Sequence, residues 1–407
     1  MIFLKMKRLL PAILSIVILV TTIFLSSVGK PIKQTSEHKK NSTTATSTKS
    51  EKTEQEMRGI WITYIELNME GETDKSKDAF TKKFTQMAET CKDIGFNTLI
   101  VQVRPFSDAL YKSDYFPYSN ILSGIQGEKP NYDALEIMCR ICREKDLKIQ
   151  AWINPYRIQI NETPNQFADN NPYIQNPELC IETDSGIYLD PSNKEARELI
   201  ENGVSELIEN YDIDGIQFDD YFYPTDIGDS DQAQYEEYLE SAGDNKMDIQ
   251  AWREMNVNIL ISEVYMLVNN SGKDVVFGIS PQGNIGNNKE LAADVVSWCC
   301  TRGFIDYICP QLYFSLNNPS LSFEDALDDW CSLDFAQGVK LYAGLAGYKA
   351  GTDADDGTWL DKNDTLASEY NIIKSNGKCS GFILYNYSSL VNDASKAEIE
   401  NLKKCLE

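Results

Sequence analysis

Two adjacent carboxylates, Asp219 and Asp220, follow the short apolar segment 215–218 and precede a run of aromatic residues. The segment 194–210 before them predicts a helix, so the local order is helix, tight turn, buried strand and then the two acids. In parallel α/β folds the C-terminal ends of the strands face the active-site loops, so carboxylates placed there point toward a ligand. An isolated pair of aspartates more often caps a loop, and the catalytic interpretation therefore depends on the residues around it.

The chain holds one histidine, His38, which lies in a Ser/Thr/Lys-rich stretch that is not expected to fold. A Ser-His-Asp or Cys-His nucleophile, a His-ligated zinc hydrolase and a histidine general base all need an imidazole in the folded part. Proton transfer near neutral pH must then come from Asp, Glu, Tyr, Lys or Cys. Carboxyl groups whose surroundings separate their pKa values are the usual solution.

Strand-like and helix-like segments alternate from residue 58 to the end of the chain. The predicted strands are 58–64, 98–103, 148–153, 215–218, 275–279, 306–312, 340–345 and 381–385. The predicted helices include 77–94, 132–145, 194–210, 248–271, 291–300 and 323–332. Eight repeats predict an α/β fold of the closed (β/α)8 TIM-barrel type, with a doubly wound open sheet as the alternative. The chain has neither a Gly-x-Gly-x-x-Gly after the first strand nor a Walker-type loop, so no nucleotide cofactor is expected.

Residues that follow the strands of such a barrel share one face, however far apart they lie in sequence. Here they are carboxylates, amides, arginines and aromatic rings, a set that suits a carbohydrate because sugar rings stack on aromatic faces and hydroxyls bond to the polar groups. Trp61, on the first strand, is expected to reach the floor of the same cleft. The candidate substrate-binding residues are Arg104, Trp152, Asn154, Tyr156, Arg157, Gln217, Tyr221, Tyr223, Gln311, Tyr313, Tyr348 and Asn386.

Several ordered motifs carry a resemblance to a known family. They are QVRP at 102–105 with DALY at 108–111, AWINPYR at 151–157, DGIQFDDYFYP at 214–224, GISP at 278–281 and PQLY at 310–313. Together they resemble the successive blocks of the glycosyl-hydrolase-like family ten proteins, which are exported bacterial barrels. The resemblance covers nearly the whole folded chain and implies a (β/α)8 glycoside hydrolase fold. Because at least some members of that family act on the glycan strands of peptidoglycan, the resemblance also implies this activity.

Two positions depart from that pattern, because Gln150 and Gln217 stand where many family members have histidine. Glutamine keeps the capacity for hydrogen bonding but cannot carry a titrating proton. Either these positions bind rather than catalyse, or this chain has an altered activity. The carboxylates match the family pattern, which favours a working enzyme.

We expect hydrolysis of a β-linked amino-sugar glycan by two carboxyl groups. One of them is Asp219 or Asp220, whose side chains point to opposite sides of an extended segment. Asp108 is the leading candidate for the second carboxyl, and Glu66 is a weaker one. Burial beside Tyr221 would raise the pKa of the acid, while the candidate arginines would lower that of the ionised group. Retaining and inverting outcomes both stay open, because they depend on the separation of the carboxyls.

The first 56 residues differ from the rest of the chain. Residues 1–29 place basic residues before a long uncharged apolar run, which predicts an export signal or an uncleaved membrane anchor. Residues 30–56 are rich in Ser, Thr and Lys and predict a flexible linker, followed by the barrel domain at 57–407. The protein is therefore expected outside the cell or at its surface, with a cell-wall polysaccharide as its partner.

The charge of the chain is unevenly distributed. Residues 1–56 hold nine Lys and Arg against four acids, a net charge of +5, so residues 57–407 carry −29 when the whole chain carries −24. An acidic body of this kind repels phosphate backbones, and nucleic acid is not an expected partner.

Two other functions fit parts of the pattern. A non-catalytic glycan-binding barrel at the cell surface is supported by the two glutamine replacements. A divalent-metal site built on Asp219, Asp220 and Asp226 would suit calcium or magnesium but ranks well behind the hydrolase and the glycan-binding barrel. No metal or cofactor is therefore expected. The ten cysteines include one C-x-x-C pair, Cys139 and Cys142, which is interpreted as helix packing, with zinc or redox chemistry as minor options.

Overall fold

The computed structural model describes residues 55–407, so the predicted signal or anchor at 1–29 and nearly all of the predicted linker at 30–56 lie outside the described residues. Eleven strands are present in the described part: β1 Met57–Ile62, β2 Thr98–Arg104, β3 Lys148–Ile153, β4 Arg157–Ile160, β5 Cys180–Glu182, β6 Gly186–Leu189, β7 Gly215–Phe218, β8 Val276–Ile279, β9 Tyr307–Ile308, β10 Lys340–Ala346 and β11 Cys379–Tyr385. Eight of them close into a parallel barrel in the order β1-β11-β10-β9-β8-β7-β3-β2. The predicted TIM barrel is confirmed.

Helices connect these strands and cover the outside of the barrel. They are α1 Tyr64–Leu67, α2 Lys77–Ile94, α3 Asn120–Ser123, α4 Ala134–Glu144, α5 Pro172–Gln175, α6 Lys194–Asn210, α7 Gln232–Ser241, α8 Ile249–Asn270, α9 Val295–Cys300, α10 Phe323–Cys331, α11 Thr365–Asn376, α12 Ser388–Val391 and α13 Lys396–Leu406. Short 3-10 turns occur at Pro177–Leu179, Ile285–Leu291, Gly347–Lys349 and Thr358–Leu360. None of the helices in residues 55–407 has the length and apolarity that a bilayer span requires.

Local sequence explains where the long helices begin and end. Asn193 caps α6, because its side-chain oxygen accepts hydrogen bonds from the backbone N–H groups of Glu195 and Ala196. Ser76 caps α2 in the same way, and α2 ends at Gly95, whose φ of 115° lies in the left-handed region that glycine tolerates. The apolar residues of α2 recur at helical spacing and are buried against the barrel.

Two parts of the fold differ from the sequence prediction. The predicted strand 306–312 is reduced to β9, because Pro310 has no N–H to donate, and pairing continues only as isolated bridges through Gln311. The segment between β3 and α6, for which no strand was predicted, contains a small antiparallel sheet in the order β4-β6-β5. This sheet stands on the side of the barrel where the strands end.

Side chains fill the barrel interior as well as the layer between strands and helices. The interior cluster consists of Trp61, Ile100, Trp152, Tyr307, Cys309, Tyr342 and Ile383. Gly278 makes room for the Tyr307 ring, since a Cβ at this position would lie 2.0 Å from a ring carbon. All ten cysteines fall within the described residues and none is in a disulfide; Cys139 and Cys142 are buried in the core.

Candidate active site

A cavity of about 460 Å³ opens where the barrel strands end. Its lining residues come from strands or from the loops that directly follow them: Trp61, Trp152, Asp219, Asp220, Tyr221, Ser280, Gln311, Tyr313, Tyr348 and Tyr385. Seven of these ten were predicted as site residues, and Trp61 was expected at the floor. The cavity therefore brings together residues that are up to 324 positions apart in the chain.

Asp219 follows β7, and its side chain accepts hydrogen bonds from residues on β3 and directly after it. Its Oδ2 accepts a hydrogen bond from the Trp152 indole at 3.1 Å and a second one from the Asn154 amide. Gln102 donates to the Asn154 side-chain oxygen at 2.6 Å, which leaves the amide NH₂ of Asn154 to face Asp219. Only 4% of Asp219 is exposed, and its other oxygen accepts a long bond of 3.3 Å from the backbone N–H of Tyr221.

Asp220 leans the other way, toward β8 and β9. Its Oδ1 accepts a hydrogen bond from the Gln311 amide at 2.9 Å, and its Oδ2 accepts one from the Gln282 amide. The second hydrogen of the Gln311 amide goes to the Ser280 carbonyl at 3.0 Å, so the glutamine is held in place. Asp220 is 6% exposed. The two neighbouring carboxyls thus lie side by side with separate sets of donors.

Burial and mutual repulsion set the acidity of the pair. Loss of water around Asp219, followed in size by the negative charge of Asp220, raises the pKa of Asp219 to about 7. Burial also raises the pKa of Asp220, and the amides of Gln311 and Gln282 oppose that rise because they stabilise the ionised form. Arg157 lowers the pKa of both groups by its charge.

The wall across the barrel from the carboxyls is aromatic. In the closed strand order, β11 lies opposite β7, with β1 and β10 at its sides. Tyr385, at the end of β11, packs against Tyr313 at 5.7 Å and Tyr348 at 5.6 Å between ring centroids, and we call these three residues the tyrosine wall. Trp61 lies 6.1 Å from Tyr385. Tyr348 is 45% exposed and its ring stands at 82° to that of Tyr313 and at 88° to that of Tyr385, so the wall offers an angled aromatic surface to a ligand.

The two glutamines that replace histidine lie beneath the cavity. Gln217 accepts a hydrogen bond from the Trp61 indole at 3.0 Å, and Gln150 accepts one from the Tyr307 hydroxyl at 2.6 Å. Both are buried, and neither lines the cavity. They act as acceptors for interior aromatic residues, a role that needs no titrating proton.

Arg157 is stacked between two rings beside the carboxyl pair. Its guanidinium lies 4.7 Å from the centroid of Phe106 and 5.0 Å from that of Tyr221, and its Nε donates to the Pro105 carbonyl at 2.9 Å. Tyr221 is 43% exposed at the mouth of the cavity. Arg157 therefore supports Tyr221 and adds positive charge near Asp219.

Asp108, the predicted second carboxyl, does not line the cavity. It is fully buried in the loop after β2, where it accepts hydrogen bonds from the backbone N–H of Phe106 and from the Gln126 amide, each at 3.3 Å. Burial raises its pKa to about 6. Through these hydrogen bonds Asp108 stabilises the conformation of this loop.

Arg104 was predicted to bind substrate, and the structure places it on the other side of β2. The ladder between β2 and β3 shifts register between Gln102 and Arg104, and this bulge turns the arginine outward. Its guanidinium lies 4.4 Å from the Phe116 centroid and against Gly203 of α6. The prediction missed the bulge because the sequence gives no signal for it.

Three more predicted binding residues lie outside the cavity. Tyr156 is fully buried in the core, and Tyr223 is buried with its hydroxyl 3.4 Å from the Asn256 amide. Asn386 follows Tyr385 but its side-chain oxygen accepts from the Ser388 hydroxyl at 2.8 Å. All three follow strands, but the side chains of Tyr156 and Tyr223 point into the core, and that of Asn386 is bonded within its own loop.

Glu66, the weaker carboxyl candidate, joins two loops. It accepts from the backbone N–H of Thr63 at 2.6 Å and from that of Ser388. Asp226, from the metal hypothesis, accepts from the backbone and hydroxyl of Ser185 at 2.8 and 3.0 Å. Within residues 55–407 no group of three or more acids, cysteines or histidines is placed to hold a metal ion.

Three residues that the prediction did not select belong to the site, and one of them, Ser280, lines the cavity directly after β8. Tyr385 is the last residue of β11, and its ring is the centre of the tyrosine wall. Gln282 lies in the loop after β8, and its amide donates a hydrogen bond to Asp220. All three end a barrel strand or closely follow one, which is the one signal that could have identified them.

The chain is similar to several known proteins. A model of the family described as glycosyl hydrolase-like 10 matches residues 56–361. Glycosyl hydrolase YngK of Bacillus subtilis (strain 168) is 34% identical over 349 residues, which cover 79% of this chain and 67% of the relative. Glycosyl hydrolase DigH of Escherichia coli (strain K12) is 28% identical over 337 residues, which cover 74% and 75%.

A solved structure supports the fold. The PgaB (BpsB) glycoside hydrolase domain from Bordetella bronchiseptica matches with a TM-score of 0.59 at 12% identity, over 87% of this chain and 99% of that domain. At this level of identity the likeness concerns the fold alone. With the family model and the B. subtilis relative, the ordered motifs and the barrel show that the chain belongs to the glycosyl hydrolase-like 10 family.

Proposed function

We propose that the protein hydrolyses glycosidic bonds in cell-wall glycan of the peptidoglycan type, with Asp219 and Asp220 as its two working carboxyls. The observation that carries this proposal is a buried carboxyl pair on one side of a cavity whose opposite side is the tyrosine wall. The relatives named glycosyl hydrolase support the reaction class. The substrate rests on the family resemblance and on the expected export of the chain.

The hydrogen bonds distinguish the two carboxyls. Each oxygen of Asp220 accepts from a glutamine amide, an arrangement that favours the ionised form. In Asp219 both strong donors bind Oδ2, which leaves Oδ1 able to carry a proton, and its pKa of about 7 keeps that proton available near neutral pH. Asp219 is therefore the proton donor to the leaving oxygen, and Asp220 is the carboxylate.

The rest of the cavity suits a sugar chain. The tyrosine wall offers ring faces for stacking against the C–H surfaces of a pyranose, and Tyr221 offers another ring at the mouth. Around the carboxyls the donors are indole and amide groups, which can orient hydroxyls without adding charge. Gln150 and Gln217 serve as interior acceptors, so their presence no longer favours a glycan-binding protein without activity.

The proposal is tested by incubating the full-length protein with purified peptidoglycan, both intact and stripped of its stem peptides, and by analysing the soluble products by mass spectrometry. Discrete fragments built of disaccharide repeats, ending in hydrated reducing sugars, are the expected result. Dehydrated ends would indicate lytic cleavage instead of hydrolysis. Binding to the glycan without release of fragments would contradict the hydrolase and indicate a glycan-binding protein without activity.

A further inference from the structure

Both carboxyls of the cavity stand on one side of it. Asp219 and Asp220 follow the same strand, β7, and their donors come from β3 on one side and from the residues after β8 and β9 on the other. The strands opposite, β10, β11 and β1, contribute Tyr348, Tyr385 and Trp61. Among the described residues that line the cavity, the only carboxylates are this adjacent pair.

This arrangement lacks a group that hydrolysis with a covalent enzyme intermediate requires. A retaining glycosidase of the usual kind needs a carboxylate on the face of the sugar opposite the proton donor. Asp108 is fully buried and bonded within its own loop, and both oxygens of Glu66 accept backbone hydrogens. Tyr385 does face the pair across the barrel, but burial raises the pKa of its hydroxyl to about 12, so it stays protonated and a weak nucleophile.

From this one-sided pair we infer that the nucleophile belongs to the substrate: the 2-acetamido group of the sugar on the non-reducing side of the cleaved bond attacks its own anomeric carbon. The inference rests on the proposed function and names the substrate class, a glycan with an N-acetylated amino sugar at that position. In this reaction Asp219 protonates the leaving oxygen, and Asp220 accepts the hydrogen of the acetamido N–H.

The reaction balances without any further reactant except water. The acetamido oxygen forms a bond to C1 while the C1–O glycosidic bond breaks, and the leaving oxygen takes its electron pair and the proton of Asp219. Asp220 accepts the amide proton, so the intermediate is a neutral oxazoline. Water then adds to C1 and gives a proton to Asp219, the oxazoline C1–O bond breaks, and Asp220 returns its proton to nitrogen. The product keeps the anomeric configuration of the substrate.

The surroundings of Asp220 fit this role. The two glutamine amides use one lone pair on each oxygen, so the carboxylate retains acceptor capacity for an N–H from the cavity. The same amides fix its orientation, which holds the acetamido group against the anomeric carbon. The adjacent Asp219 is then free to face the leaving oxygen.

The test uses one glycan in three forms with the full-length protein. Peptide-stripped peptidoglycan glycan is chemically de-N-acetylated and then re-acylated with either acetyl or trifluoroacetyl groups. Fluorine withdraws electrons from the carbonyl oxygen, so we expect the trifluoroacetyl polymer to be cleaved at least ~100-fold more slowly than the re-acetylated polymer. We also expect NMR of the first products to show retention, and the thiazoline analogue of N-acetylglucosamine to inhibit competitively.

Three results would overturn the inference while leaving the hydrolase intact. They are equal rates on the acetyl and trifluoroacetyl polymers, inversion at the anomeric carbon, and loss of activity in Glu66→Gln as large as that in Asp219→Asn. Cleavage of none of the three polymers, nor of the untreated glycan, would instead contradict the proposed function itself, and the inference with it.

Discussion

Asp219 and Asp220 are neighbours in sequence and both are buried, but they bind different sets of donors. One is bound by an indole and an asparagine from the β3 side, and the other by two glutamines that follow β8 and β9. A buried acid with a raised pKa destabilises the native state when it is ionised, so the site is maintained at a cost to the fold. That cost gives the first prediction.

Asp219→Asn should raise the melting temperature more at pH 8 than at pH 5. The native pKa of Asp219, about 7, lies above its ordinary value of 3.8, so the native state holds the proton more tightly than the unfolded state. Stability from this group is full below pH 4 and is lost as the pH rises to about 7. Asparagine cannot titrate and avoids the loss. Thermal melts at both pH values test this, with the exposed Asp244→Asn as control; equal shifts at the two pH values would contradict it.

Gln217 provides a second prediction at this scale. Gln217→Leu leaves the buried Trp61 indole N–H without an acceptor and should lower the free energy of unfolding by about 1–3 kcal/mol. Gln217→His should restore stability at pH 8, where a neutral imidazole can accept the bond, but not at pH 5, where the imidazolium only donates. Urea denaturation at the two pH values measures this. A Leu variant as stable as the wild type would show that the bond contributes nothing.

The loops after β9 and β10 carry Tyr313 and Tyr348, two members of the tyrosine wall. Asp355 joins them, because it accepts from the Lys349 ammonium at 2.7 Å, from the backbone N–H of Ser315 at 3.1 Å and from the Trp359 indole at 2.9 Å. Lys349 also donates to the Tyr313 carbonyl at 2.7 Å. This network fixes the position of the tyrosine wall.

Asp355→Asn should weaken substrate binding more than it slows the chemical step. Loss of the charged bond to Lys349 loosens Tyr348, and we expect KM for soluble glycan fragments to rise roughly tenfold while kcat changes little. Steady-state kinetics separate the two constants. Asp353→Asn, an exposed neighbour in the same loop, is the matched control. An unchanged KM, or an equal fall in kcat, would refute the role in binding.

The sequence predicts the elements of this fold better than the orientation of their side chains. Buried strands and amphipathic helices alternate clearly enough to identify the barrel, and residues after the strands include most of the cavity lining. The prediction that Arg104 binds substrate is wrong because a bulge reverses the direction of its side chain. The same prediction is wrong for Tyr156 and Tyr223 because residues at the ends of strands alternate between cavity and core. The β4-β6-β5 sheet was missed because its strands, although β4 and β6 are as long as β7, lie outside the strand–helix alternation on which the prediction was built.

At the scale of the whole molecule, the barrel carries a large negative charge, with −29 on residues 57–407. The closed strand order gathers loops from all parts of the chain at one end, where the cavity opens. Such a body repels anionic polymers over about 10 Å at 0.1 M salt. Intact peptidoglycan carries several carboxylates on each stem peptide, whereas a stripped glycan carries one lactyl carboxylate on each N-acetylmuramic acid.

The ratio of cleavage rates on stripped and intact peptidoglycan should therefore exceed one at low salt and fall as salt rises. Screening weakens the repulsion between the acidic protein and the stem peptides, and it has a smaller effect on the stripped glycan because that polymer carries fewer charges. Rates at 10 and 300 mM sodium chloride test this, with neutral N-acetylglucosamine oligomers as the control substrate. If the ratio does not change with salt, any preference for the stripped glycan comes from the shape of the substrate and not from its charge.

The most direct test of the proposed hydrolase compares the release of reducing ends from peptide-stripped glycan by the wild type, Asp219→Asn, Asp220→Asn and Asp226→Asn. We expect the first two variants to lose at least ~100-fold in rate and to keep the wild-type fold by circular dichroism, because each removes a group that moves a proton. Asp226→Asn, which alters an acid bound to the Ser185 loop, should stay active. Full activity in both Asp219→Asn and Asp220→Asn would contradict the assignment.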